Sequence, residues 1–269
     1  MSSLLRCTVK NCGRPLVIAD RVARCEAGHS FDRARSGYWN LLQPQDRKAR
    51  EPGDAVAAAR ARRALFAAGH DDAVVSWIAT RTPRGSQLLD VGCGEGSLVE
   101  RLSESAGAPP PVGIDLSARA LELAARSYPT GLWVVANADR GLPLLDQSID
   151  LAISITGRRP GAELHRVLRK GGRLIVGVPA PDDLRELRQL VQGPAEDVSR
   201  VERILGELSP TFERVEQQRW SQRVSLETTD LENLLVASYR AARGRLARLG
   251  SIDRLEVTIA RDLLLLEPR

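Results

Sequence analysis

Short apolar runs alternate with amphipathic stretches through the middle of the chain. Residues 87–91, 111–115, 133–136, 149–154 and 173–178 each have the length and composition of a strand buried on both faces. Helical spacing separates them, beginning near Glu95 and recurring over 118–126 and 162–168, while Gly171 and Gly172 turn the chain into the last of the five. Alternation of this kind predicts an α/β fold with a doubly wound, five-stranded parallel sheet. Upstream, an alanine-rich helix capped by Asp54 runs to about residue 68, and a second covers 72–80. Downstream, helical segments fall within 183–208, a strand over 212–226, a pair of helices over 231–249 and a final strand over 255–266.

The first 35 residues lack this rhythm. Gly13, Pro15 and Gly28 punctuate them, which predicts a small ribbon of short strands and turns. The expected division is therefore residues 1–35 as a small module, 36–80 as a basic linker with helices, and 81–269 as the main domain. A module this short needs a staple beyond its own core. Cys7, Cys12, Cys25 and His29 supply four candidate metal ligands, and Gly28 permits the turn that brings Cys25 and His29 together. Thiolate and imidazole suit Zn2+ in a reducing compartment, with buried or free thiols as the alternative. Cys93, in the middle of the chain, reads as a small packing residue.

Composition narrows the class. With 43% hydrophobic and only 4% aromatic residues, the core must rest on Leu, Val, Ile and Ala. No apolar run approaches the roughly 20 residues of a membrane span, and the opening residues lack a secretory segment, so the expected compartment is the cytoplasm. Net charge is +5, but residues 1–63 hold thirteen Lys/Arg against six Asp/Glu. That excess is an electrostatic handle for a polyanion, or a solvated surface of a chain rich in Ala and Arg. Arg47, Arg50, Arg60, Arg62 and Arg63 are the candidates for steering a nucleic-acid backbone.

The most specific chemistry lies in Asp90-Val91-Gly92-Cys93-Gly94-Glu95-Gly96. A strand that ends in D-x-G-x-G-x-G and feeds a helix brings backbone close to a ligand, and the helix start favours a carboxylate. Asp115 ends the second strand, where an acid accepts hydrogen bonds from a ribose. Together these predict a Rossmann-like S-adenosylmethionine site, with a flavin or nicotinamide site or an inactive fold as alternatives. Asn137 or Asp139, after the third strand, could bond the adenine edge or merely cap a turn. After the fourth, Arg158 and Arg159 could engage phosphate and Thr156 could help position a base, or all three could be surface residues. His70 and His165 read equally as packing or surface histidines. No catalytic residue is assigned.

Taken in order, the Cys/His cluster, Gly37-Tyr38-Trp39-Asn40-Leu41-Leu42, Glu51-Pro52-Gly53-Asp54, residues 62–70, the Asp90–Gly96 motif and Leu168-Arg169-Lys170-Gly171-Gly172 resemble the bacterial 23S ribosomal RNA guanine-N1 methyltransferases, across nearly the whole chain. The resemblance implies a class I methyltransferase sheet behind a zinc-binding RNA-recognition module. It implies that Asp71, Gly96 and Ser97 adjoin S-adenosylmethionine alongside Asp90, Gly92, Gly94, Asp115 and Asn137. It also implies a homodimer acting on 23S rRNA or the large ribosomal subunit precursor, in a family with a macrolide-resistance branch. Three positions depart from the family pattern. Thr156-Gly157 replaces an Ala-Pro turn, Asp183, itself an expected cofactor contact, stands where many relatives carry a cofactor-contacting histidine, and Leu235 to Arg240 replaces a Met-Thr-Pro segment. A small-molecule methyltransferase and a catalytically inactive RNA-binding protein are the competing functions.

Overall fold

The computed structural model describes residues 2–46, 56–193, 198–238, 246–250 and 252–269. The basic loop expected over 47–54, with Arg47, Arg50 and the Asp54 cap, lies outside them. So do Tyr239, Arg240 and most of the second helix expected before residue 249.

Four short strands, β1 (Ser2–Arg6), β2 (Pro15–Ala19), β3 (Val22–Arg24) and β4 (Ser30–Asp32), form an antiparallel sheet in sequence order. A two-residue strand β5 (Trp39–Asn40) leaves this module and pairs parallel with the edge of the main sheet. Helices α1 (Val56–Ala67) and α2 (Asp72–Ala79) follow. Next come β6 (Leu88–Val91), α3 (Ser97–Ala106), β7 (Val112–Asp115), α4 (Ala118–Ser127), β8 (Leu132–Val135), β9 (Ile149–Ile155), α5 (Gly161–Val167) and β10 (Leu168–Pro179). After α6 (Arg185–Gln192) and α7 (Val201–Leu208), the long strands β11 (Phe212–Glu227) and β12 (Arg254–Pro268) form an antiparallel pair around α8 (Thr228–Ser238).

The main sheet has eight strands in the order β11-β12-β10-β9-β6-β7-β8-β5. The five expected parallel strands occupy its centre, and the order reverses between β6 and β9, the switch point where open α/β sheets bind ligands. Period-two alternation sorts the strands' side chains. Leu89, Val91, Ile114, Val134 and Val176 enter one core, and Leu88, Trp133, Val135, Ile153 and Ile175 enter the other. Helices α2, α3 and α4 cover the second face. On the first, α5 and α7 share the surface with the small module, whose Leu5, Leu16, Ala23 and Phe31 join the same core as Val134, Leu142 and Leu144. A bridge between Leu5 and Leu144 continues this contact in the backbone. A third core gathers Leu65 of α1, Leu187 of α6 and Leu231, Leu234 and Leu235 of α8 against the far ends of β11 and β12. Small buried Ala58, Ala59 and Ala61 let α1 lie close to its neighbours.

Candidate active site and metal centre

The turn after β6 is built as its glycines require. Gly92, Gly94 and Gly96 all have positive φ, at 85°, 56° and 84°. A Cβ on Gly96 would stand 2.6 Å from the buried Trp133 ring, and one on Gly113 only 2.3 Å. Trp133 thus forms the floor beneath the turn, anchored by its indole N–H donating to Tyr128 O at 2.7 Å. The turn is braced further by Asp115, whose Oδ2 accepts from Gly94 N at 2.9 Å and Oδ1 from Ser117 N at 2.7 Å. An ionised carboxylate offers about four acceptor sites, the chemistry that ribose hydroxyls require.

Asp90 is buried, and among the described residues nothing donates a hydrogen bond to its carboxylate. Burial, then the charges of Asp115 and Glu95, push its pKa up to about 8. Glu95 is also raised by burial, against the Ser97 hydroxyl, which donates to its Oε2 at 2.6 Å, and the charges of Arg63 and Arg62. Three carboxyl groups round a glycine cradle suit a cationic ligand with a ribose. The sulfonium, ammonium and sugar of S-adenosylmethionine match that donor set, so the residues fit the cofactor.

The other expected contacts are distributed unevenly. Ser97 begins α3 and spends its hydroxyl on Glu95 and on Tyr128, 3.1 Å away. Asp71 stands at the start of α2, its side chain capping nothing. Asn137 follows β8 and its Oδ1 accepts from Asp139 N at 3.1 Å, the turn-capping alternative. Asp139 pairs with Arg158 at 2.8 Å, linking the turns after β8 and β9. Asp183 is tied to β12, accepting from Ala260 N at 2.9 Å and pairing with Arg261 at 2.5 Å. His70 lies 3.4 Å from Asp230, and His165 packs edge-on against Phe212.

Sequence reasoning passes over several groups that shape the site. Glu95 and Trp133 are two; patterning placed Trp133 on a strand without revealing that three glycines surround its ring. Gly157 is a third. A Cβ there would fall 2.2 Å from Val91 O, so the turn after β9 lies directly on the glycine-rich turn at the switch point. Its neighbour Thr156 holds φ at 58°, an uncommon conformation for a β-branched residue. Two of the arginines expected to steer RNA also have other contacts. Half-buried Arg62 donates to Ala237 O at 3.2 Å, and Arg63 to Ser127 Oγ at 2.5 Å.

In the small module, Cys7, Cys12, Cys25 and His29 converge, all four ligand atoms lying within 4.8 Å of one another. His29 Nδ1 is 3.4 Å from both Cys7 Sγ and Cys25 Sγ, and Cys12 Sγ is 3.8 Å from Cys25 Sγ. Tetrahedral zinc with its usual bond lengths implies edges of about 3.5–3.8 Å, so the four residues fit the ion. Gly28, at φ 83°, makes the turn, with Gly28 N donating to Cys25 O at 2.9 Å. Burial opposes a Cys25 thiolate, yet hydrogen bonds from the His29 and Ala27 backbone and from Cys12 and His29 bring its pKa down to about 7. Burial instead pushes Cys7 up to about 12.

Comparison with known proteins assigns both parts. A profile described as RlmA, N-terminal, a zinc ribbon, matches residues 5–50, and one described as a methyltransferase domain matches residues 88–172. The chain is 34% identical over 221 residues to the 23S rRNA (guanine(748)-N(1))-methyltransferase of Streptomyces fradiae, covering 80% of this chain and 77% of that protein. It is 31% identical over 253 residues to a candidate 23S rRNA (guanine-N(1)-)-methyltransferase of Micromonospora griseorubida, covering 86% and 84%. A methyltransferase candidate from Bacillus halodurans C-125 shares the fold, with a TM-score of 0.50 at 15% identity over 72% of this chain and 96% of that one. The [4+2]-cyclase SpnF does so equally, at 0.50 and 21% over 73% and 80%, so fold alone does not fix the reaction. Relatives at 34% and 31% identity, each covering more than two thirds of this chain, place it in the family of bacterial 23S rRNA (guanine-N1)-methyltransferases, with the fold of S-adenosylmethionine-dependent enzymes.

Proposed function

We propose that this protein transfers a methyl group from S-adenosylmethionine to N1 of a guanine in 23S rRNA. The observation that carries this reading is the 34% identity to the Streptomyces fradiae enzyme over 80% of this chain and 77% of that protein. When bound, the cofactor supplies an electrophilic methyl group on a sulfonium. Asp115 would hold its ribose and Asn137 its adenine edge, with Gly92, Gly94 and Gly96 admitting its chain closely. Asp90 and Glu95 would compensate its positive charge. Asp71 and Ser97 would adjoin it at the starts of α2 and α3, and Asp183 would act through β12. Holding guanine N1 in line with the methyl group supplies much of the rate, and the N1 proton leaves during transfer.

Zinc on Cys7, Cys12, Cys25 and His29 would fix the fold of an RNA-recognition module in residues 1–35, with 36–80 connecting it to a catalytic domain over 81–269. The expected partners are 23S rRNA or the large-subunit precursor and, as the family resemblance implies, a second copy of the chain. Thiolate ligands favour a reducing compartment such as the cytoplasm; among the described residues no helix is long and apolar enough to cross a membrane. Two open hollows of about 510 and 460 Å3 surround Pro83 and Arg173 at the amino-terminal end of the strands.

Incubation of zinc-loaded protein with labelled S-adenosylmethionine and unmodified 23S rRNA tests the proposal. N1-methylguanosine at one hairpin position is expected. Cofactor binding without transfer to rRNA or to assembled particles would overturn it.

A further inference from the structure

Several arginines of the main domain are paired with carboxylates. Arg158 bonds Asp139, Arg166 bonds Glu163 and Asp146, and Arg169 bonds Asp150. Arg159 is an exception. Its Nη1 donates to Gly157 O at 2.7 Å, which fixes the guanidinium against the turn after β9. Its Nε is buried and, among the described residues, meets no acceptor. Burial opposes its charge first; Glu207 is the strongest of the charges acting on it, and Arg203, Arg158 and Arg200 act against Glu207. Glu207 is itself engaged by Arg203 at 3.7 Å. Arg200 and Arg203 are exposed, at the start and in the first turn of α7.

Leaving a buried guanidinium N–H without an acceptor is costly, and like charges beside it add to that cost. An anion beside the guanidinium would offset those like charges. The place is informative, because Arg159 hangs from the turn that lies on Gly92, at the end of the sheet where a methyl acceptor must approach. A planar fork held by one bond to its own turn suits a tetrahedral oxyanion, and two exposed arginines on α7 extend the positive surface outward from it.

We propose that Arg159, with Arg200 and Arg203, forms a subsite for a backbone phosphodiester of the substrate RNA, next to the nucleotide whose base enters the crevice. This rests on the RNA reading above and names the protein groups that would position the strand. Contacts of this type fix register and carry no sequence information themselves.

The test is equilibrium binding of a labelled 23S rRNA hairpin to the full zinc-loaded chain between about 50 and 200 mM salt. Wild type is compared with Arg159→Gln, the surface pair Arg200→Gln/Arg203→Gln, and Arg254→Gln on the distal hairpin as a control. The surface pair is expected to weaken binding about 3- to 10-fold and to lower the slope of log K against log salt by about 1. Cofactor affinity, melting temperature and the control should stay unchanged. An unaltered slope in both Arg159→Gln and the surface pair would overturn the subsite, as would a loss confined to cofactor affinity. Binding that depends on these arginines without methyl transfer would leave the subsite standing and sink the proposed reaction. Transfer at full rate with an unaltered slope would do the reverse, and absence of RNA binding by wild type would remove both.

Discussion

Asp90 carries a proton near neutral pH when nothing cationic faces it. Its carboxyl is raised to about 8 by burial, then by Asp115 and Glu95, so the folded chain binds a proton that the unfolded chain has released above about pH 4. Its contribution therefore costs stability progressively as pH rises from about 4 to about 8. Asp90→Asn should melt higher than wild type at about pH 9 and at nearly the same temperature at about pH 4, while its affinity for S-adenosylmethionine falls at least about tenfold. Paired thermal scans and calorimetric titration would show this, and a melting difference independent of pH would refute the assignment. Thr156 poses a different residue-scale question. A β-branched residue at φ 58° stores about 1 kcal/mol or more of backbone strain. Thr156→Gly is expected to stabilise the chain by up to about 1 kcal/mol in urea, and a clear loss of stability would show that the Thr side chain is held there by favourable contacts. At the next position, Gly157→Ala must push the turn off Val91 O, costing about 1–3 kcal/mol and changing cofactor affinity.

Among the elements, the central parallel strands were legible because each is a short apolar run with a turn signal after it. The glycine-rich turn was legible because its residue types are nearly dictated by its backbone. The strand β5 was not, since two residues show no alternation and Trp39–Asn40 becomes a strand only through distant pairing with β8. Spacing also cannot show where long side chains go. Arg62 and Arg63 sit on a basic helix yet turn toward Ala237 and Ser127, and Asp183 is claimed by β12, some eighty residues away in sequence. Metal spacing, by contrast, located all four members of the cysteine and histidine cluster. Chelation of zinc is expected to release about one ion per chain and expose the amides of β1 to β4 to rapid hydrogen exchange. Continued protection of those amides after complete metal loss would mean that packing alone holds the module.

At the scale of the whole molecule, the small sheet and the large one are not beads on a string. Leu5, Leu16 and Phe31 lie in one core with Val134, Leu142 and Leu144. A chain lacking residues 1–46 would bare that face and remove β5 from the sheet edge. It is expected to aggregate and to lose cofactor affinity, as size-exclusion chromatography and calorimetry would reveal. Recovery of a monomer with wild-type affinity would show the shared core to be dispensable.

Such continuity makes the molecule a ruler. If residues 1–35 grip one part of a folded RNA, the span from that grip to the methyl group is set by packed side chains and not by a swinging tether. A hairpin one base pair longer or shorter would bring a different nucleotide, or none, to the crevice. Selection of one guanine among many then becomes a matter of distance as much as of base recognition.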